Sequence, residues 1–246
     1  MLFKRKTILS YLKNFYFLAL FFPVFSKAQK IEHVYLLHGL AADSRLFDSL
    51  VLDHSFQVHK INLPVPFKNE TMPSYAQRIA LMIDTTQSFA LVGVSLGGMV
   101  STELSEILPA KKVILIASAG CRGELPKRFQ RMKNFPIYKI VPGFFMKWSS
   151  FVAQPLVERD RYKQRKTFNR MLRDKNPRFL KQATRLIMTW ERSEKPKNLY
   201  HIHGTSDNTI FYKNVKADYT VSKGTHFMVL TEGKTVSKIV NDVLKN

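Results

Sequence analysis

The chain has 246 residues, of which 45% are hydrophobic and 23% are charged, an ordinary composition for a folded domain with a buried core. It carries 39 Lys and Arg against 18 Asp and Glu, a formal net charge of +21, and it has a single cysteine. This composition excludes a mainly disordered chain, and the lone cysteine excludes an intramolecular disulfide. The length suits a single α/β unit.

The first 28 residues have the pattern of a secretory signal peptide. Positive charges at residues 4–6 precede an apolar run over residues 15–25, and residues 26–28, Ser-Lys-Ala, resemble a cleavage site. The run is shorter than the roughly 20 apolar residues that span a bilayer. We therefore predict cleavage after Ala28 and a secreted, periplasmic or cell-envelope protein. A membrane anchor formed by an uncleaved N-terminal segment is the alternative.

The next part of the chain alternates between strand and helix patterns. Short apolar or alternating runs predict strands, and apolar residues at helical spacing predict helices. In chain order these elements are strand 31–37, strand 57–63, helix 75–86, strand 89–94, a helix from residue 96 to about residue 108, and strand 113–117.

A basic segment without strand patterns follows. Residues 122–197 carry 21 Lys and Arg against 6 Asp and Glu, so they hold most of the excess charge. The further predicted elements are helices 126–135, 144–157, 162–173 and 176–190, strands 199–203 and 217–221, and helix 235–244. We predict a basic helical cap, 122–175, inserted between two parts of one core, 29–121 and 176–246.

Strands that alternate with helices predict an α/β fold, in which a mostly parallel central sheet has helices on both faces. Ligands of such sheets bind at the carboxyl ends of the strands. Candidate catalytic residues are therefore sought just after the predicted strands.

The strongest such candidate is Ser95, in Gly93-Val94-Ser95-Leu96-Gly97. A tight turn between a strand and a helix exposes a serine hydroxyl, and it needs glycine two residues to either side because larger side chains would collide. The pentapeptide also occurs by chance as a simple glycine-rich turn. Its position between a predicted strand and a predicted helix favours a nucleophilic serine.

A serine hydroxyl needs a neighbouring base, and the base needs an orienting group. His226 lies between the last predicted strand and the last helix, and Asp207 lies in the loop that leaves strand 199–203. Taken singly, each is an ordinary histidine or turn aspartate. Together they give the order Ser, Asp, His, so we predict Ser95 as nucleophile, His226 as base and Asp207 as orienting acid.

Two backbone N–H groups are candidates for an oxyanion hole, the set of donors that stabilises a tetrahedral intermediate. Leu96 directly follows the predicted nucleophile, and Leu40 follows the His38-Gly39 pair that closes the first strand. Each such donor is typically worth about 3–4 kcal/mol of activation barrier.

These segments, 36–40, 93–98, 203–207 and 224–227, resemble the motifs of the α/β-hydrolase family in the right order. The resemblance implies an eight-stranded-type sheet with a helical cap inserted after the sixth strand. A serine nucleophile favours esterases, thioesterases and lipases over haloalkane dehalogenases or epoxide hydrolases. The single glycine after His38, where another branch has His-Gly-Gly-Gly, argues against hormone-sensitive-lipase-like enzymes.

The predicted function is hydrolysis of carboxylic ester or thioester bonds through an acyl-enzyme. No cofactor is predicted, since the mechanism needs none and the histidines lack metal-ligand spacing. One alternative is an acyltransferase, or other acyl chemistry on the same triad. Another is a non-catalytic member of the fold that binds a ligand or a membrane.

The basic cap has three interpretations. It attracts a small ester or acyl substrate that is anionic, or it contacts an acidic membrane surface; otherwise its charges are only solvated. The aromatic residues Phe144, Phe145, Trp148 and Phe151 either line an acyl pocket or form the core of the cap. No nucleic-acid recognition motif is present, so we predict no nucleic-acid partner.

Overall fold

A computed structural model describes residues 30–246, so the predicted signal peptide lies outside the described residues. Its single sheet has six strands, all parallel, in the order β2-β1-β3-β4-β5-β6. The strands are β1 His33–Leu37, β2 Gln57–Ile61, β3 Phe89–Val94, β4 Lys112–Ile116, β5 Leu199–Gly204 and β6 Tyr219–Val221. The predicted α/β class with a parallel sheet is confirmed.

Eight α-helices accompany the strands in the described part of the chain. They are α1 Met72–Ala80, α2 Leu96–Ile107, α3 Lys127–Arg131, α4 Gly143–Val157, α5 Arg165–Asp174, α6 Pro177–Thr189, α7 Met228–Thr231 and α8 Gly233–Lys245. Helices α1, α2 and α6 pack into one apolar cluster on the sheet, and α5, α7 and α8 pack into the other. No helix among residues 30–246 has both the length and the apolar character to cross a bilayer.

The central strands are apolar because both of their faces are covered. All six residues of β3 are buried, and so are four of the five residues of β1 and of β4. A parallel sheet with helices on each side has no solvated face, so its strands need no polar alternation. This layering brings the carboxyl ends of β3, β5 and β6 to one edge of the sheet.

The sheet differs from the one that the resemblance implied. That resemblance implied eight strands, whereas residues 30–246 form six. The helices α3–α6 follow β4 and precede the last two strands, and two strands would likewise follow a cap inserted after the sixth of eight. The implied strand count was wrong for these residues. Only six stretches of strand pattern occur in this part of the chain, and each of them pairs.

Helix α1 begins and ends earlier than the predicted range 75–86. Thr71 caps its first turn by accepting a hydrogen bond from a backbone N–H, which fixes the start before residue 75. At the other end, the N–H of Asp84 donates to the hydroxyl of Tyr35 at 3.0 Å. The N–H groups of Met82 and Ile83 already bond three residues back, to Ile79 and Ala80, so the last turn tightens and the Tyr35 contact holds the chain beyond it.

Candidate active site

Ser95 occupies a tight turn between β3 and α2. Its backbone has φ 53° and ψ −119°, a left-handed conformation that is costly for a residue with a side chain. A Cβ atom at Gly97 would lie 2.0 Å from the carbonyl oxygen of Leu37, and one at Gly93 would lie 2.4 Å from that of Gly97. Both glycines are thus required by close backbone approach, and together they hold the serine at the edge of the sheet.

The structure brings the three predicted triad residues together. The Nε2 atom of His226 lies 2.9 Å from Oγ of Ser95, and Nδ1 of His226 lies 2.8 Å from Oδ2 of Asp207. Asp207 follows β5, and His226 lies between β6 and α7. Each residue follows a different strand, and the parallel arrangement of those strands is what makes the three side chains meet.

Asp207 is held rigidly from its other side. Its Oδ1 atom accepts hydrogen bonds from the backbone N–H groups of Thr209 at 2.8 Å and Ile210 at 3.0 Å. The Nε2 atom of buried His203 lies 3.3 Å from Oδ2 of Asp207 and 2.9 Å from the carbonyl oxygen of Ile210. Because both neighbours are acceptors, this nitrogen carries the hydrogen and His203 acts as a donor.

The charges of Asp207 and His226 favour proton transfer from Ser95 to His226. Burial alone raises the pKa of Asp207, but the charge of His226 and hydrogen bonds from His203 and His226 bring it well below its ordinary value. Burial alone lowers the pKa of His226, but the charge and hydrogen bond of Asp207 leave it raised. Asp207 therefore remains ionised and stabilises an imidazolium at His226.

Both predicted oxyanion donors lie beside Ser95. Leu96 is the first residue of α2, so its N–H lies at the positive end of the helix, and Leu40 lines the same cavity as Ser95. Gly39 sits directly against the serine, since a Cβ there would be 3.2 Å from Cβ of Ser95. Within residues 30–246, neither N–H donates a hydrogen bond, and both thus remain available to an oxyanion.

His38 orders the loop that carries Leu40, a role that the sequence patterns did not indicate. Its Nδ1 atom donates to the carbonyl oxygen of Gly39 at 2.9 Å, and its Nε2 atom accepts from the N–H of Leu63 at 3.2 Å. Burial lowers the pKa of His38 to about 4, so the ring is neutral and keeps both bonds at neutral pH. The signal that could have indicated this role is the histidine directly before Gly39.

A cavity of about 280 Å³ lies over Ser95 and His226, between the core and the cap helices. Its walls are mostly apolar and include Met99, Phe129, Leu172, Ile187 and Ile210. Within residues 30–246, no group of three or more histidine, cysteine or carboxylate side chains is arranged to hold a metal ion.

Part of the cavity wall is polar because of α4. Ser150 and Gln154 of this helix line the cavity, and so does Glu158, which follows its last turn. The Oε2 atom of Glu158 accepts from the N–H of Phe227 at 3.2 Å, whereas its Oε1 atom has no hydrogen-bond partner among the described residues. Burial raises the pKa of Glu158 to about 7. Sequence reasoning missed these three polar residues, although they lie four residues apart in the sequence, a spacing typical of one helix face.

The four aromatic residues of α4 neither line this cavity nor form a cap core. Both interpretations made from the sequence were wrong, since Phe144, Phe145 and Trp148 are more than half exposed and Phe151 is 37% exposed. Helix α4 turns its polar side toward the cavity, which leaves the aromatic side on the surface.

Comparison with protein-family models and with curated proteins finds no match. Solved structures do match. A thermophilic esterase from Thermogutta terrifontis has TM-score 0.62 at 16% identity, over 89% of this chain and 92% of its own. An enol-lactonase from Burkholderia xenovorans LB400 has TM-score 0.68 at 13% identity, over 89% of this chain and 94% of its own. A structure described under novel epoxide hydrolases of the α/β-hydrolase superfamily, from metagenomes of hot environments, has TM-score 0.64 at 14% identity. The match covers 87% of this chain and 91% of its own.

Proposed function

Because the chain has the α/β-hydrolase fold, we propose that it is a serine hydrolase that cleaves carboxylic ester or thioester bonds. The observation that carries the proposal is the unbroken chain of contacts from Oγ of Ser95 through the His226 ring to Asp207, at 2.9 and 2.8 Å. Two of the similar structures are described as an esterase and an enol-lactonase. A lactone is a cyclic ester, so both descriptions agree with this bond class.

The proposed reaction has two halves that share the same residues. His226 takes the proton of Ser95 as its oxygen attacks the carbonyl carbon, and the N–H groups of Leu40 and Leu96 stabilise the oxyanion. The imidazolium then gives its proton to the leaving alcohol or thiol, which leaves an acyl-enzyme. In the second half, His226 activates a water molecule that releases the acid and restores the serine.

The cavity favours a small substrate with a polar group. A volume of about 280 Å³ lies just below the range of typical ligand pockets, roughly 300–1,000 Å³. Most of its wall suits an apolar acyl or alcohol part, whereas Gln154 and Glu158 offer hydrogen bonds from the side of α4. A hydroxyl group both donates and accepts, so it suits Glu158 in either protonation state.

The first test asks whether Ser95 is a reactive nucleophile. We expect a fluorophosphonate probe to label the native chain and to leave Ser95→Ala unlabelled, because only an activated serine reacts. Ser101, a buried serine on α2 that lies outside the cavity, provides the matched control Ser101→Ala, which should keep its labelling. Equal labelling of native protein and Ser95→Ala, or no labelling of the native chain, would reject the proposal.

The second test addresses the reaction and the substrate size. A series of p-nitrophenyl esters from acetyl to decanoyl is assayed by release of nitrophenol, with water alone and with added alcohol. We expect kcat/KM to be highest for the short acyl groups and the free acid to be the main product. A product mixture dominated by the ester of the added alcohol would instead identify an acyltransferase.

A further inference from the structure

Helix α4 carries an exposed apolar surface, here called the aromatic ridge, formed by Phe144, Phe145, Trp148 and Phe151. The first three side chains are 66%, 52% and 60% exposed, and their rings contact one another. Trp148 is three residues from both Phe145 and Phe151 and four from Phe144, spacings that place the four side chains on one side of the helix. A contiguous exposed patch of this kind marks an interaction surface.

An open basic groove of about 710 Å³ adjoins the ridge, and Phe144 belongs to both. The groove is built from α6, the start of α4, residues 138–139 before α4 and the loop before α1. It is lined by five basic side chains and no acidic side chain: Lys68, Lys139, Arg178, Lys181 and Arg185. None of the five forms an ion pair in the described part of the chain. Arg185 donates to the backbone carbonyl of Glu70, and the carboxylate of Glu70 is already paired with Arg78.

We propose that the aromatic ridge and the basic groove together bind the surface of an acidic phospholipid membrane. Phosphate headgroups carry the negative charge that five unpaired cations attract, at about 1 kcal/mol for each basic residue near the surface. Tryptophan and phenylalanine beside them insert at the boundary between headgroups and acyl chains. The predicted signal peptide or anchor would bring the chain to a membrane by an independent route.

Charge makes a membrane a better occupant than a second copy of this chain. A second copy would place another basic groove against the first, and like charges repel across an interface. The geometry of α4 gives the contact a consequence, because the same helix supplies Ser150 and Gln154 to the cavity over Ser95. One side of this helix thus faces the lipid while another faces the substrate.

The groove is tested by vesicle co-sedimentation of the protein as recovered after export, so that all variants carry the same N terminus. The double variant Lys139→Gln/Lys181→Gln is compared with Lys234→Gln/Lys238→Gln, whose exposed lysines lie on α8 across the sheet. On phosphatidylglycerol vesicles we expect the groove variant to partition roughly 30-fold less, about fivefold per lysine. The α8 control should change little.

The ridge is tested with Phe144→Ser/Trp148→Ser, for which we expect at least roughly tenfold weaker partitioning. All variants should melt within a few degrees of the native chain, because the substituted side chains are solvent-exposed or line an open groove. The proposal is overturned if the groove variant and the α8 control bind alike, or if neutral phosphatidylcholine vesicles bind the native chain equally well. Formation of dimers that the ridge variant abolishes, without vesicle binding, would overturn it in favour of self-association.

Discussion

Glu158 places a second carboxyl group in the cavity that holds the His226 ring. Burial raises the pKa of Glu158 to about 7, and the charge that Glu158 bears when ionised contributes to the raised pKa of His226. The larger contribution to His226 comes from Asp207, which contacts it directly. The imidazole is thus influenced by two carboxyl groups, one from the core and one from the end of α4.

Replacing Glu158 by glutamine should move the acid limb of the pH–activity profile. The proposed mechanism requires neutral His226, so we expect kcat/KM to fall as the pH drops below the pKa of His226, which is raised above 6.5 in the native chain. Loss of a negative charge disfavours the imidazolium, so we expect Glu158→Gln to shift this limb to lower pH by roughly half a unit. The measurement is kcat/KM for a p-nitrophenyl ester between pH 5 and 9.

The matched control for this change is Glu32→Gln. Glu32 is exposed and lies just before β1, at the end of the strand remote from Ser95. The pH–activity profile of Glu32→Gln should coincide with that of the native chain. A shift of Glu158→Gln toward higher pH, or no shift at all, would contradict the assigned electrostatic role.

At the scale of secondary-structure elements, the contact between β1 and α2 determines whether the site forms. Gly97 in the first turn of α2 lies against the carbonyl groups of Leu37 and His38, where an added Cβ would come within 2.0 and 2.7 Å of their oxygens. The same contact holds Ser95 on one side and the loop of Leu40 on the other. No flexible side chain can move to make room, because the clashing atoms belong to the backbone.

We expect Gly97→Ala to lower the free energy of unfolding by about 3 kcal/mol or more, as overpacking against backbone requires. Urea denaturation followed by circular dichroism measures the change, and activity should fall with it because α2 and β1 must separate. Gly123→Ala is the control, since its Cβ would meet only Sγ of Cys121, at 3.9 Å. Equal stability of the two variants would show that the helix–strand contact is looser than described.

At the scale of the whole molecule, Lys175 ties the junction of α5 and α6 to the loop that follows β1. Its ammonium group donates to the carbonyl oxygen of Ala42 and lies 3.9 Å from the centre of the Phe179 ring. The residue is 8% exposed, and burial lowers its pKa to about 8. The buried ammonium group of Lys175 therefore connects the end of α5, the last cap helix, to the loop beside the active site.

This buried lysine makes stability depend on alkaline pH. Between pH 8 and 10.5 the unfolded chain keeps the proton of Lys175 while the folded chain releases it, so the free energy of unfolding rises with pH across this range. The contribution amounts to roughly 3 kcal/mol, at about 1.4 kcal/mol for each unit of pKa. Urea denaturation at several pH values should give a smaller rise for Lys175→Met than for the native chain. Lys238→Met, at an exposed position on α8, should keep the native slope; a native slope for Lys175→Met would refute the assignment.

The sequence by itself determined the parallel sheet and the meeting of Ser95, Asp207 and His226. Strand and turn patterns are local, and parallel strands that alternate with helices must end at the same edge, so residues placed just after them converge wherever they lie in the chain. The tight turn at Ser95 likewise followed from glycines two residues away. The strand count failed because it came from the resemblance and not from runs of residues in this chain.

Only the tertiary structure decided which side of α4 faces the core. Helical spacing shows that Ser150 and Gln154 share one face and that the aromatic ridge forms another, but it does not set the rotation of the helix on its neighbours. The usual preference for buried aromatic residues predicted the wrong rotation. The contribution of Glu158 to the cavity and the exposure of the ridge both follow from that rotation, which depends on packing between residues far apart in the sequence.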